Sequence, residues 1–291
     1  MSSDATLGII GGSGLYKMDG IEDRIERTIE TPYGAPSDTI ICGTINGTQC
    51  AFIPRHGRGH VLTPSEVNYR ANIWALKSLG VKAILSVSAV GSLREKIEPG
   101  HLVCPDQFID RTRGRASTFF GDGVVGHVQF GEPIEEMFRQ IVLDVARSGD
   151  SPIHDGGCYV CIEGPTFSTR AESHLFRSWG GDIVGMTNLP EARLAREAEI
   201  GYATLGLSTD YDCWREGHDE VSVEAVIQII QQNVRVAQDV IRGVCKALDS
   251  IGELNWPSHQ ALGGGTAIIT DRALISDEAR TRLAPIMGAY L

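Results

Sequence analysis

Five short apolar runs, each stopped by glycine or a small polar residue, constrain this chain more than any other feature. Leu7-Gly-Ile-Ile10 runs into Gly11-Gly-Ser-Gly14, Ala51-Phe-Ile53 into Pro54-Arg-His-Gly57, and Ala83-Ile-Leu-Ser-Val87 into Ser88-Ala-Val-Gly91. Gly181-Asp-Ile-Val184 meets Gly185-Met-Thr187, and Tyr202-Ala-Thr-Leu-Gly-Leu207 meets Ser208-Thr-Asp-Tyr-Asp212. Runs this short, without polar alternation, read as strands covered on both faces, which favours a parallel or mixed sheet between helices.

Helix signals fall between the runs. Thr63-Pro-Ser-Glu66 is a capping box with proline at the first helical position; Val67, Ala71, Trp74 and Ala75 then share a face, and Gly80 closes the helix. Thr169-Arg-Ala-Glu172 is a second capping box. Further helices are expected over Glu132–Ala146, roughly Val221–Leu248, and around Asp277–Met287. This alternation predicts an α/β fold: a single domain with a central mixed, largely buried β-sheet flanked by helices. Residues 1–250 form that domain. Residues 251–291 read as a C-terminal appendage, part of the same domain or packed on a neighbouring subunit.

With 291 residues, 42% of them hydrophobic, the chain can bury a sizeable core. Its 26 basic residues against 37 acidic ones give a net charge of −11, which argues against nucleic-acid and anionic-membrane partners. No stretch approaches the ~20 apolar residues of a membrane span, and Met-Ser-Ser-Asp-Ala lacks a secretory start, so a cytoplasmic location is expected. The seven cysteines are scattered. Cys158-Tyr-Val-Cys161 has no second pair for zinc and reads as packed thiols, so no metal is implied.

In open α/β sheets, ligands gather at the carboxyl ends of strands. There this chain places Ser13, Arg55-His56, Ser88, Thr187 and Asp210/Asp212: a donor-rich end suited to an oxyanion, and an acidic end. Gly11-Gly-Ser-Gly14 lacks the third glycine of a dinucleotide fingerprint, since Lys17 stands there, and it is not a P-loop. It remains either a backbone cradle for an anion, helped by Ser13, or an ordinary glycine turn. Arg55 offers a planar fork to phosphate and His56 a donor in either charge state; the alternative is a surface arginine and a core histidine. Asp210-Tyr-Asp212 can share a proton in a pocket or form a solvated Asx turn, and the apolar Cys213-Trp214 that follows favours a pocket.

Taken together, Gly11-Gly-Ser-Gly-Leu15, Thr31-Pro-Tyr-Gly34, Arg55-His-Gly57, Asn68-Tyr-Arg-Ala-Asn72, Gly91-Ser92, Glu163-Gly-Pro165 and Gly185-Met-Thr187 resemble the trimeric purine nucleoside phosphorylase family. Asp106-Gln-Phe-Ile-Asp-Arg-Thr112, Phe167-Ser-Thr-Arg-Ala-Glu172 and Ser208-Thr-Asp-Tyr-Asp-Cys-Trp214 are similar to its adenine-directed branch, which acts on 5′-methylthioadenosine. The resemblance spans residues 7 to 248 and implies phosphorolysis of the N-glycosidic bond, giving adenine and 5-methylthioribose 1-phosphate. Phosphate is a co-substrate, and neither organic cofactor nor metal is implied. By the same resemblance, phosphate lies among Ser13, Arg55, His56, Ser88, the Ala89 amide and Thr187; many relatives carry threonine at the first and fourth of these. Met186 packs on the ribose, and Phe167, Ser168 and Tyr211 line the base, with Asp210 and Asp212 reading and protonating the purine. Ser168, Val223 and Val226 set specificity, the two valines as an apolar wall for the methylthio group, unless they simply form the buried face of the long helix.

The chemistry suits these residues. Cleaving C1′–N9 builds positive charge on the sugar and negative charge on the purine, which a bound phosphate and a carboxylic acid at N7 respectively stabilise. A carboxylate accepts from a 6-amino group and rejects a 6-oxo group, so Asp210 argues for adenine. The alternatives are a 6-oxopurine or broad-specificity phosphorylase, and a non-catalytic nucleoside sensor. The family's homotrimer carries a further expectation. Gly123-Val-Val-Gly-His127-Val-Gln-Phe130 is apolar enough to want a partner's surface, the alternative being a loop folded onto its own domain, and by the resemblance His127 reaches the neighbouring subunit's ribose pocket.

Overall fold

The structure, a computed structural model, describes residues 5–12, 14–15, 18–215 and 223–291, apart from the side chains of 223–228 and 230–232. Four of the five apolar runs form the parallel centre of the sheet. In spatial order these are β4 (Thr48–Pro54), β1 (Leu7–Gly11), β5 (Ala83–Ser92) and β11 (Gly201–Asp210). The fifth run is β10 (Gly181–Gly185), which lies antiparallel to β5 and is extended by β9 (Cys158–Ile162) and β7 (Gln107–Arg111). At the far edges, β2 (Glu22–Arg27) and β3 (Ile40–Ile45) add to β4, while β6 (Leu102–Cys104) and β8 (Ile153–Asp155) add to β11. The eleven strands make one mixed sheet.

The sheet forks at β5. On one edge, Ala83–Ser86 pair with β1, whereas Gly91 and Ser92 pair with β10. Among the described residues, Val87–Val90 therefore have no strand partner on that edge. The opposite edge is continuously paired with β11 through Asp210, across a bulge after Ser208. A gap of unpaired backbone in the middle of a buried sheet must find hydrogen-bond partners elsewhere. Side chains and a ligand can supply them, and this gap locates the site.

Helices cover both faces. α1 (Tyr69–Ser78), α4 (Asn188–Glu197) and α6 (Asp277–Met287) pack together; α2 (Glu136–Arg147) packs with α5 (Val223–Ile251), and α3 (Arg170–Ser178) lies on β10. α3 starts at its capping box as read from the sequence. α1 does not. The box at Thr63 closes only a turn, with Glu66 accepting from the Thr63 amide and hydroxyl, and the helix begins five residues later behind the Asn68 cap. Asn68 wins because its carboxamide caps Ala71 while also donating to the carbonyls of Tyr33 and Ala35, a tertiary contact no local pattern reveals. α2 likewise starts behind Glu135 instead of Glu132, since the Glu135 side chain caps Met137 and accepts from Ser258 of the tail. The tail's Leu254, Trp256, Leu262, Ile268, Ile275, Leu283 and Ile286 belong to the same buried cluster as the sheet.

The loop read as wanting a partner's surface is largely covered by its own chain. Val124 is fully buried, and Val128 and Phe130 pack on the core. Gly126 bridges Ile268, and the His127 amide donates to the Ala267 carbonyl. Val125 and the His127 side chain stay exposed.

Candidate active site

The unpaired stretch of β5 is lined by the donors expected there. Ser88 is buried; its hydroxyl donates to Asn188 Oδ1 at 3.2 Å and lies 3.4 Å from Thr187 Oγ1. Ala89 is exposed toward the opening. Thr187 is the cap residue of α4, and its hydroxyl makes no bond to the helix. It arrives from the carboxyl end of β10, which runs against β5. The site therefore lies beside the middle of β5 and not along a single row of strand ends.

Arg55 follows β4, with its side chain running under the gap at 3% exposure. Its fork does not point outward. Nε and Nη2 hold both oxygens of Glu191 at 2.9 and 3.0 Å; Nη2 also meets Ser86 Oγ and the Ile10 carbonyl, and Nη1 donates to the Val87 carbonyl at 3.1 Å. These bonds use Nε–H, both Nη2 hydrogens and one Nη1 hydrogen, which leaves a single N–H for a ligand. Burial works against the guanidinium charge, but the Glu191 carboxylate outweighs it and raises the pKa above the ordinary arginine value. The expectation of a free planar fork is thus corrected: the fork is committed to Glu191, and Arg55 contributes fixed charge and one donor.

His56 also departs from expectation. Its Nδ1 lies 2.8 Å from the Leu62 carbonyl, which can only accept, so Nδ1 carries the proton and the neutral ring presents a lone pair at Nε2. Burial, then the Arg55 cation, push its pKa down to about 4. Neutral His56 is therefore an acceptor at Nε2, and it donates there only when protonated.

About 10 Å further along β5, three residues at ~3.3 Å rise, lies the acidic end. Asp210 pairs with Gly91 across the ladder. Asp210 Oδ2 accepts from the Thr209 hydroxyl at 2.6 Å and Oδ1 from the Asp212 amide at 2.7 Å. An Asx turn and a buried dyad, posed by the sequence as alternatives, coexist. Burial raises the pKa of both carboxyls, and for Asp212 the neighbouring Asp210 adds to this. Gly91 is the floor here, since a Cβ on it would come within 2.9 Å of Asp210 Oδ1 and 3.4 Å of Asp212 Cβ. The turn is anchored by Trp214, which donates to the Ser92 carbonyl at 2.7 Å under the Arg177 guanidinium.

Phe167 is exposed, Ser168 and Met186 are half-buried, and the Met186 sulfur lies against Gly164. The Tyr211 ring packs on Trp214 and Arg215, and its hydroxyl donates to the Glu95 carbonyl. Ser13 lies outside the described residues, as do the side chains of Val223 and Val226. His127 stands on the loop pinned to the tail. Among the described residues, no three His, Cys, Asp or Glu side chains are grouped to hold a metal.

Sequence reading missed Glu191, Asn188 and Arg115. Glu191 follows Pro190 in the first turn of α4, and a carboxylate buried there signals a hidden cation; only the fold reveals that the cation is Arg55. Asn188 is the buried hub. Its amide donates to Thr204 Oγ1 at 2.5 Å and Tyr202 Oη at 2.9 Å while its oxygen accepts from Ser88.

The chain's likeness to known proteins is extensive. The sequence profile of the phosphorylase superfamily matches residues 6–246. An S-methyl-5′-thioadenosine phosphorylase of Geobacter sulfurreducens is 54% identical over 99% of this chain and 100% of its own. The crystal structure of a methylthioadenosine phosphorylase from an antarctic soil metagenomic library superposes with a TM-score of 0.92 at 50% identity, covering 98% of this chain and 99% of that one. A variant of the adenosine/methylthioadenosine phosphorylase of Schistosoma mansoni, solved with methylthioadenosine, superposes at 0.80 with 38% identity over 86% and 93%. With the forked sheet, the donor-lined gap and the paired carboxyls in place, the chain belongs to the phosphorylase superfamily.

Proposed function

We propose that this chain cleaves the N-glycosidic bond of 5′-methylthioadenosine with inorganic phosphate, giving adenine and 5-methylthioribose 1-phosphate. The observation that carries this reading is the arrangement along β5: a hydroxyl- and amide-lined gap at one end and a buried pair of carboxyls about 10 Å away at the other. Phosphate sits among Ser13, Arg55, His56, Ser88, the Ala89 amide and Thr187. A phosphate oxygen attacks C1′ as the C1′–N9 bond breaks, and the bond electrons pass into the purine. Asp210, whose pKa burial raises, gives a proton to N7. Asp212 accepts from the 6-amino group, Met186 packs on the ribose, and Phe167 and Ser168 line the base. Tyr211 supports the base-reading turn, and Ser168, Val223 and Val226 set specificity. The step moves one proton and forms one C–O bond, so it calls for no organic cofactor or metal.

The remaining readings are proposals of the same kind. Residues 1–250 form the catalytic α/β domain and 251–291 are part of the same domain. The active unit is a homotrimer in which His127 reaches a neighbour's ribose pocket. The seven free thiols suit a reducing cytoplasm, and no helix among the described residues is long and apolar enough to cross a membrane. Purified protein should release adenine from 5′-methylthioadenosine only when phosphate is present, with 5-methylthioribose 1-phosphate as co-product. Equal turnover without phosphate would mark a hydrolase, and preference for inosine would mark a 6-oxopurine phosphorylase.

A further inference from the structure

Arg115 takes no part in the reaction described above, yet it touches both walls of the pocket. The side chain is 2% exposed. Nη1 donates to the Met186 carbonyl at 2.7 Å, the Leu189 carbonyl at 2.9 Å and Tyr69 Oη at 3.2 Å; Nη2 donates to the Glu163 carbonyl at 2.6 Å. Nε lies 3.4 Å from Glu163 Oε2. Met186 and Leu189 bracket Thr187 and Asn188 at the phosphate end. Glu163 opens the loop that leads to Phe167 and Ser168 at the base end. The two walls come close enough that a Cβ on Gly164 would collide with the Met186 sulfur. Three main-chain carbonyls from two separate segments thus converge on one buried cation. Without it they repel one another and lose their donor, a costly state in a buried site.

We propose that Arg115 is a positioning residue that fixes the separation between the Met186–Leu189 wall and the Glu163–Ser168 wall, and so sets where the sugar lies between phosphate and Asp210. The inference rests on the proposed reaction for its substrate, but the clamp itself is a property of the chain. A merely structural arginine would affect melting temperature and leave the kinetics of folded protein alone.

The test compares Arg115→Ala, Arg115→Met and Arg115→Lys, each shown folded by circular dichroism. In Arg115→Ala, kcat/KM for 5′-methylthioadenosine should fall by about 10²-fold, the loss expected from misplacement by about 1 Å. Guanidinium chloride well below denaturing concentration should recover most of that loss, because a polar cavity of 150 Å³ bounded by Asn68, Arg70 and Arg115 admits the ion. Arg115→Met fills the space and should gain nothing from guanidinium; Arg115→Lys should fall between wild type and Ala. Hydrogen exchange reads the clamp without any substrate: residues 163–168 and 186–189 should exchange faster in Arg115→Ala and slow again with guanidinium. Wild-type kcat/KM in Arg115→Ala, a loss that guanidinium leaves in place, or unchanged exchange in both segments would overturn the inference. If wild-type protein does not act on the nucleoside, the proposed function falls, while the exchange measurement still decides the clamp.

Discussion

At the scale of single residues, the proposed reaction needs a carboxyl that can hand a proton to the leaving base. Burial raises the pKa of Asp210 in that direction, against the bonds from Thr209 and the Asp212 amide. Replacing Asp210 with Asn keeps an oxygen for the Asp212 amide but removes the acid. Turnover of 5′-methylthioadenosine should drop by about 10²–10⁴-fold, the usual worth of general-acid assistance. Selectivity should relax toward inosine, whose 6-oxo group an amide can donate to, while the melting temperature should hardly move. Unchanged kinetics would take Asp210 out of the mechanism. The pair was legible in the sequence as Asp210-x-Asp212 behind an apolar strand. The committed state of Arg55 and the tautomer of His56 were not, because Glu191 and the Leu62 carbonyl reach them through the fold.

At the scale of elements, α4 joins the hydroxyl-lined gap to the core and carries a conspicuous burden at its far end. Glu197 closes the helix at 8% exposure, where the helix dipole disfavours a negative charge. Its oxygens accept from the Thr118 hydroxyl and the Phe119 amide, both at 2.7 Å. Burial nevertheless dominates and raises its pKa from 4.5 to about 7. The folded protein therefore binds this proton more tightly than the unfolded chain does. That contribution is fully present below pH 4.5 and is lost as pH rises through about 7. Glu197→Gln should abolish this part of the pH dependence: melting curves should nearly coincide at low pH, and the variant should melt higher at pH above 7. Parallel profiles for the two proteins would show that Glu197 does not titrate in this window. Element boundaries were legible where the cap is local, as at Thr169. They failed where the cap is tertiary, as at Asn68 and Glu135.

At the scale of the whole molecule, the assembly question turns on His127. The loop around it is pinned to the tail of its own chain, yet the His127 side chain and the neighbouring Val125 and Ile269 remain exposed. If the active unit is a trimer with His127 serving a neighbour, mixing a His127→Ala chain with an Asp210→Asn chain should restore activity, since a hybrid can hold a site with both wild-type residues. Arg55→Ala would be a poor partner because it strands Glu191 unpaired in the core. Sedimentation of a fully active monomer at assay concentration would end the trimer reading. The strands, the class of fold and the two chemical ends of the site followed from the sequence alone, because apolar runs closed by glycine and polar residues encode burial and turn chemistry locally. The tertiary structure decided the rest: the fork that leaves Val87–Val90 unpaired, the pairing of Arg55 with Glu191 and the convergence of two walls on Arg115. Those features depend on which distant segments meet, and hydrogen-bond partners 136 or 71 residues apart leave no mark in any local pattern.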